Sequence, residues 1–177
     1  MTRIASQLLY CSPDRIVRNA VLERNSDLIV SNIYDLKQVF EMSNTLFYDG
    51  IISAEILSVK QNTTSNVIDS IAENYKYVDL SLFDLKSHIE LESKELILDF
   101  GTSNVSDINK ILHNVVPYLH ISTTELVAAC VFRPSFFLGI NSKFDVSTKC
   151  KTLLWQHSNL IENTFDSSIN ILDLDSV

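Results

Sequence analysis

An α+β fold, with strands and helices in mixed order, is the class this sequence predicts, and three observations lead there. Short apolar runs rich in β-branched residues and bounded by turn signals fill residues 4–52. Apolar residues at helical spacing dominate residues 103–138. Strand-like runs then return in residues 152–155 and 169–174. With 46% hydrophobic and 20% charged residues, the composition is that of a chain with a core rather than a disordered one.

Taken in order, residues 4–10 form a first strand, Ser12-Pro13-Asp14 a turn, and residues 16–22 a second strand running toward Asn25-Ser26-Asp27, which together read as a hairpin. Residues 28–33 give a third strand, 36–42 a short helical turn, and 45–52 a strand interrupted at Asp49-Gly50. Behind Ser and Asn cap candidates, Val67, Ile68, Ile71 and Ala72 predict a helix over 65–73. Residues 77–85 and 96–100 read as strands, and 86–94 stay open between helix and hairpin. A helical stripe of Ile108, Ile111, Leu112, Val115 and Val116 ends at Pro117, and Ser122-Thr123-Thr124-Glu125 resembles a capping box for a helix over 126–132. Pro134 suits the first turn of a further short helix closed by Gly139.

Composition excludes several functions. Only 3 glycines occur where average usage of about 7% would give roughly 12, so glycine-rich phosphate loops have no raw material. A net charge of −8 without any Lys/Arg cluster speaks against nucleic acid as a partner. No apolar run reaches membrane-spanning length and the start lacks a secretory h-region, so no membrane contact and a cytoplasmic location are expected. Cys11, Cys130 and Cys150 are widely spaced and read as reduced structural thiols.

Chemistry-bearing constellations are sparse. His88, His113, His120 and His157 include no pair at metal-ligand spacing, and Pro117 breaks the helix that would align His113 with His120. No G-x-S-x-G elbow exposes a serine, and Cys130 lies in an apolar helix where burial keeps it an inert thiol. Glu90 with Glu92, and Asp173 with Asp175, alternate with leucines as a solvated strand face would. Phe132, Phe136 and Phe137 around Arg133 read as core packing rather than a base-stacking platform.

The opening, IASQLLYCSPDRIVRNAVLERNSDLIVSNI followed by TLFYDGIIS, resembles the N-terminal strands of the metal-dependent amidohydrolases, especially their cytosine-deaminase and chlorohydrolase-like branch. The later LILDFGTSNVSDINKIL, ISTTELVAACVFRPSFFLGI and KTLLW resemble, in the same order, that family's last barrel strand, closing helices and returning strand. The resemblance implies a composite β-sandwich built from both chain ends, with a short remnant of a TIM barrel: a single composite domain, 1–177, with residues 1–62 and 145–177 in the sandwich and 63–144 as the α/β remnant. Only residues 63–102 separate the two matching regions, and a complete barrel typically needs roughly 250 residues.

Departures from the family pattern fall on its metal site. Where the family has P-G-F-x-x-x-H-x-H, this chain has residues 54–62, which puts Lys60 and Asn62 at the ligand positions. An ammonium is no ligand and a neutral amide is a poor zinc donor. Where the family carries G-T-D, this chain has Gly101-Thr102-Ser103, so Ser103 replaces the aspartate; residues 145–151 also lack the family's glycine-rich turn. Lys60, Asn62 and Ser103 thus mark a vestigial metal position without catalytic residues, bound metal or cofactor. Without a metal to acidify water and a carboxylate to move its proton, the expectation is a non-catalytic pseudoenzyme. It would act as an interaction module, self-associating or pairing with an intact relative; the alternative is a small hydrolase or ligand-binding protein with a new pocket in the middle segment. The stripes of residues 108–115 and 126–132 are expected to lack intramolecular cover and to form a homodimer face.

Overall fold

The computed structural model describes residues 1–38, 44–82, 95–115, 121–140, 143–149, 151–156 and 169–176. Its strands and helices make an α+β fold, and the chain divides into two compact units, one of residues 1–55, 142–157 and 171–177 and the other of residues 56–141 and 158–170.

The first unit is a six-stranded sheet. The hairpin forms from β1 (Thr2–Ser12) and β2 (Arg15–Arg24), paired antiparallel. Asn25 then closes a turn by accepting from the backbone N–H of both Asp27 and Ile29 through its side chain, with Leu28 in a left-handed conformation at φ 63°. That turn delays β3 to Val30–Asp35, two residues beyond its expected start. A 3₁₀ turn at Leu36–Gln38 takes the first part of the expected helical turn, and residues 39–42 of that expectation lie outside the described residues.

β4 (Thr45–Ala54) lies parallel to β1 and runs unbroken past Asp49-Gly50, where the register shifts by a bulge instead of the strand ending. Gly50 has φ 148°, and a Cβ there would stand 2.4 Å from the carbonyl oxygen of Trp155, so the bulge requires glycine. The end of the chain returns as β7 (Thr152–Gln156) and β8 (Asn170–Asp173), giving the order β3-β2-β1-β4-β7-β8. Both chain ends therefore build one sheet, as the resemblance implied.

This sheet folds back on itself. β2 and β7 stand three strands apart, which at 4.7–4.9 Å per step would be roughly 14 Å in a flat sheet. Yet Arg24 Nη1 donates to Thr152 Oγ1 at 2.8 Å, and the backbone N–H of Val30 reaches the carbonyl of Thr148 at 2.8 Å. Folding over buries both faces of the central strands, so residues 20–24, 50–54 and 152–155 are continuously buried rather than alternating. The Trp155 indole N–H is satisfied inside by Ser53 Oγ at 2.7 Å.

A buried polar pair closes this unit. Arg24 makes an ion pair with Asp175 and donates to the Leu174 carbonyl, while the backbone N–H of Thr152 donates to Asp175 at 3.0 Å. Asp175 is thus a largely buried anchor, its side chain 11% exposed; the solvated strand face expected of Asp173 and Asp175 does not hold for it, because β8 ends beside β2's guanidinium.

In the second unit, α1 (Val59–Asn62), α2 (Ser65–Asn74), β5 (Lys76–Asp79), β6 (Leu96–Asp99), α3 (Val105–Val115), α4 (Thr123–Val127) and α5 (Arg133–Phe137) follow in order. β5 and β6 pair in parallel, Lys76 with Leu96 through Asp79 with Asp99. β5 stops at Asp79, and Leu80–Leu82 form a 3₁₀ turn, so the expected strand over 77–85 is shorter; residues 83–85 and the open segment 86–94 lie outside the described residues.

α4 and α5 are joined by a π-helical turn at Ala128–Phe132 into one rod instead of two helices. Pro134 has no N–H to close a bond on Cys130, and the backbone widens in the turn just before it. Arg133 fastens the rod to the strands, donating to the Leu96 carbonyl at 2.8 Å and as a fork to both oxygens of Glu125.

The expectation of uncovered helical stripes is corrected here. Ile108, Leu112, Val115, Leu126, Val127 and Phe132 are all buried at 3% exposure or less within this chain. Their cover comes from β6, the 3₁₀ turn and the rod itself, which the linear count of middle residues underestimated. The aromatic cluster divides: Phe132 is buried, Phe137 packs edge-on to Tyr75 beside Val59, Ile71 and Ile97, and Phe136 is 76% exposed, contrary to a core role. Among the described helices none is long and apolar enough to cross a membrane.

Candidate functional site

The polar cluster that gathers most of the second unit's chemistry sits at the carboxyl ends of β5 and β6, the edge where open parallel sheets ordinarily place their sites. Both strands are short aliphatic runs, KYVD and LILD, that end in aspartate. Each aspartate turns the chain by accepting the backbone N–H two residues on: Asp79 Oδ1 from Ser81 at 3.0 Å and Asp99 Oδ1 from Gly101 at 2.9 Å. The two turns pack closely. Gly101, at φ 65°, has room for no side chain, since a Cβ would stand 2.9 Å from Ser81 Oγ.

α1 brings in the third component. Ser58 caps it, accepting from the Gln61 N–H at 3.2 Å, and Val59 anchors it in the apolar cluster with Ile71 and Ile97. This seats Lys60 over the strand ends. Its backbone N–H donates to Asp99 Oδ2 at 2.7 Å and its ammonium to Asp79 Oδ2 at 2.8 Å. Tyr77 completes the set, its hydroxyl donating to Asp99 Oδ2 at 2.7 Å.

The electrostatics follow from these contacts. Burial pushes the Asp79 carboxyl up, but hydrogen bonds from Lys60 and Ser81 and the Lys60 charge outweigh it and hold the group below its usual value. The hydrogen bond to Asp79, then its charge and that of Asp99, raise Lys60. Burial first, then the bond to Asp99, raises the Tyr77 phenol well above its ordinary value. Lys60 is therefore fixed as a cation, Asp79 as an anion and Tyr77 as a neutral donor. Each aspartate accepts from three groups, out of about four positions a carboxylate offers.

The three residues expected at the vestigial metal position do not converge. Lys60 is in the cluster, with its side chain 47% exposed. Asn62 turns back within α1, its amide donating to the Ser58 carbonyl at 2.7 Å. Ser103 is exposed, and among the described residues it makes no hydrogen bond to Lys60 or Asn62. As a donor set for a divalent metal these residues do not fit: one is an ammonium already paired, one an amide facing its own helix, one a lone exposed hydroxyl. Among the described residues no group of three or more His, Cys, Asp and Glu stands in metal-binding proximity. His113 is exposed on α3; His88, His120, His157, Cys150, Glu90 and Glu92 lie outside the described residues.

Sequence reasoning missed Asp79, Asp99 and Tyr77. Their signal was present as two short apolar runs each ending in aspartate, but only the parallel register makes Asp79 and Asp99 neighbours. Two of the three cysteines match expectation: Cys11 and Cys130 are buried free thiols, and burial raises both above the ordinary thiol value.

No protein-family model matches this sequence, and no curated protein matches it. Among solved structures, the chain is similar to N-acetyl-D-glucosamine-6-phosphate deacetylase from Mycobacterium smegmatis at 9% identity and a TM-score of 0.27, over 75% of this chain and 31% of that one. A mutant of that deacetylase in complex with N-acetyl-D-glucosamine-6-phosphate gives 9% and 0.27, over 66% and 29%. Helicobacter pylori aminofutalosine deaminase in complex with methylthio-coformycin gives 12% and 0.25, over 46% and 20%. These neighbours are amidohydrolases. The chain spans less than a third of their length, and similarity at this level does not assign it to their family.

Proposed function

We propose that this chain is a non-catalytic, amidohydrolase-like module of the cytoplasm that works by association, with a second copy or with an intact relative. The observation that carries the non-catalytic reading is the occupancy of the strand-end carboxylates by the chain's own donors. Amidohydrolase chemistry asks for a metal-bound water near pKa 7 and a carboxylate free to move its proton. Here Asp99 is 1% exposed under three donors, and Asp79 is held ionised by an ammonium. Asp99 lacks the open coordination that such work needs, and Asp79, held below its usual value, lacks the protonation range.

The test is an assay of the full chain, supplemented with zinc or manganese, against cyclic amides, ureides, aminopurines and N-acetylated amino sugars. The expected result is no turnover above buffer. Turnover that Asp99→Asn abolishes would overturn the reading.

Association is supported by exposed apolar side chains outside the buried helical stripes: Leu46 and Phe47 in β4, 51% and 58% exposed, and Phe136 in α5. Light scattering of the full chain at micromolar concentration is expected to give a dimer mass. A monodisperse monomer that also captures no amidohydrolase partner would contradict it.

A further inference from the structure

β4 outruns its partner on one side. β1 pairs with it over residues 45–48 and again at Ile51 and Ile52, whereas β7 pairs with it only over residues 51–54. Among the described residues, no strand pairs with residues 45–48 on the side away from β1, so the sheet has an edge there besides its ends at β3 and β8. Such an edge turns backbone N–H and C=O groups outward, ready for another strand, and natural edges are blunted by lysine, proline or other charge. Residues 45–48, Thr-Leu-Phe-Tyr, contain none of these. Instead Leu46 and Phe47, on opposite faces because they are consecutive in a strand, are 51% and 58% exposed. The two end strands differ. The start of β3 is closed by bonds between Val30 and residues 147 and 148, after which Ser31 and Asn32 are exposed, and β8 is bounded by Asn170 and Asp173.

We infer that this edge is the surface through which the chain self-associates: residues 45–49 of two copies pair antiparallel about a two-fold axis at Phe47, joining the two sheets into one. The inference deepens the association reading above and rests on it. The residues favour a second copy as the occupant. Antiparallel self-pairing sets Phe47 against the partner's Phe47 on one face and Leu46 against the partner's Tyr48 on the other, which covers both exposed apolar side chains. The charge in the segment, Asp49, then faces the partner's Thr45, and the register partner of Thr45 on β1 is Arg3, so no like charges oppose each other. A head-to-tail contact would instead bring Leu46 and Phe47 against the polar residues of β3 or β8, with no symmetry to close it. The pairing stops at Asp49, because the bulge and then the β7 ladder at Ile51 follow.

At the centre of a two-fold pair a residue faces its own copy, and that sets the experiment. The mass of the full chain is measured by analytical ultracentrifugation at micromolar concentration for the native protein, Phe47→Lys and Phe47→Glu, with circular dichroism confirming that each variant is folded. The native protein is expected to be a dimer. Each variant is expected to have its dissociation constant raised by about tenfold or more, since like charges then face each other. Mixed in equal amounts, the two variants are expected to recover the dimer. Phe136→Ser, an exposed change in the other unit, is expected to leave it intact. Should either charged variant not fold, Leu46→Thr is expected to weaken the dimer in the same direction. Native-like dimers of both Phe47→Lys and Phe47→Glu would overturn this edge and leave association through another surface standing. Variants that separate and stay monomeric when mixed would overturn the two-fold pairing at Phe47. A native monomer would overturn self-association together with it.

Discussion

Each unit has an ion pair at a decisive place, Arg24–Asp175 in one and Lys60–Asp79 in the other, and the two differ in burial. In the sheet unit Arg24 and Asp175 are 6% and 11% exposed, and the guanidinium also serves Thr152 and the Leu174 carbonyl. In the strand-and-helix unit Lys60 is 47% exposed and its carboxylate partner 15%. The first arrangement is a fastener: it joins β2 to the returning end of the chain, and breaking it is costly because the carboxylate left behind is largely buried. The second lies at a strand-end edge, where the half-exposed ammonium makes the pair contribute less to stability than the buried one. Similar chemistry is thus structural in one unit and site-defining in the other.

The largest expected effect comes from the fastener. Arg24→Met should cost about 3–5 kcal/mol in urea unfolding, since it strands a largely buried carboxylate. A loss below about 1 kcal/mol would mean that the pair is hydrated and the contrast between the units false. Next, Leu112→Ala should cost about 2–5 kcal/mol, because Leu112 is wholly buried in its own unit. Dissociation of a dimer without loss of stability would instead return the helical stripe to the role of an interface. Gly50→Ala should destabilise the sheet by about 1–3 kcal/mol or more through its strained backbone and the Trp155 carbonyl, leaving a native-like stability as the contrary result.

The smallest effect sharpens the comparison by pH. Each unit has a carboxyl held below its usual value against the opposing pull of burial: Glu23 by Tyr34 and Arg3, and Asp79 by Lys60 and Ser81. A depressed folded-state pKa adds stability above the unfolded value, about 3.9–4.3, and that stability is lost as pH falls through the folded value. Glu23→Gln and Asp79→Asn should each flatten the loss of stability between about pH 5 and pH 2. An unchanged slope in Asp79→Asn would show that Lys60 does not hold it.

How much of this was legible in the sequence differs between the units too. The hairpin, α2, α3, β6 and the returning β7 follow from local periodicity and turn residues such as Pro13 and Asn25. The fold-back of the sheet does not, because it depends on Arg24 meeting residues more than a hundred positions away. At the candidate site the resemblance drew attention to Lys60, Asn62 and Ser103 together, and of the three it is Lys60 that hydrogen-bonds Asp79 and Asp99. Asp79 and Asp99 were hidden inside runs read as strands, since a strand-end carboxylate gains meaning only from the register that puts another beside it.

The most direct test of the central claim, that the strand-end carboxylates are satisfied by the chain itself, is the metal content of the purified full chain after equilibration with zinc and manganese and dialysis against buffer. The account predicts far less than one equivalent of either metal per chain. A full equivalent retained by the native protein and lost in Asp79→Asn would contradict it.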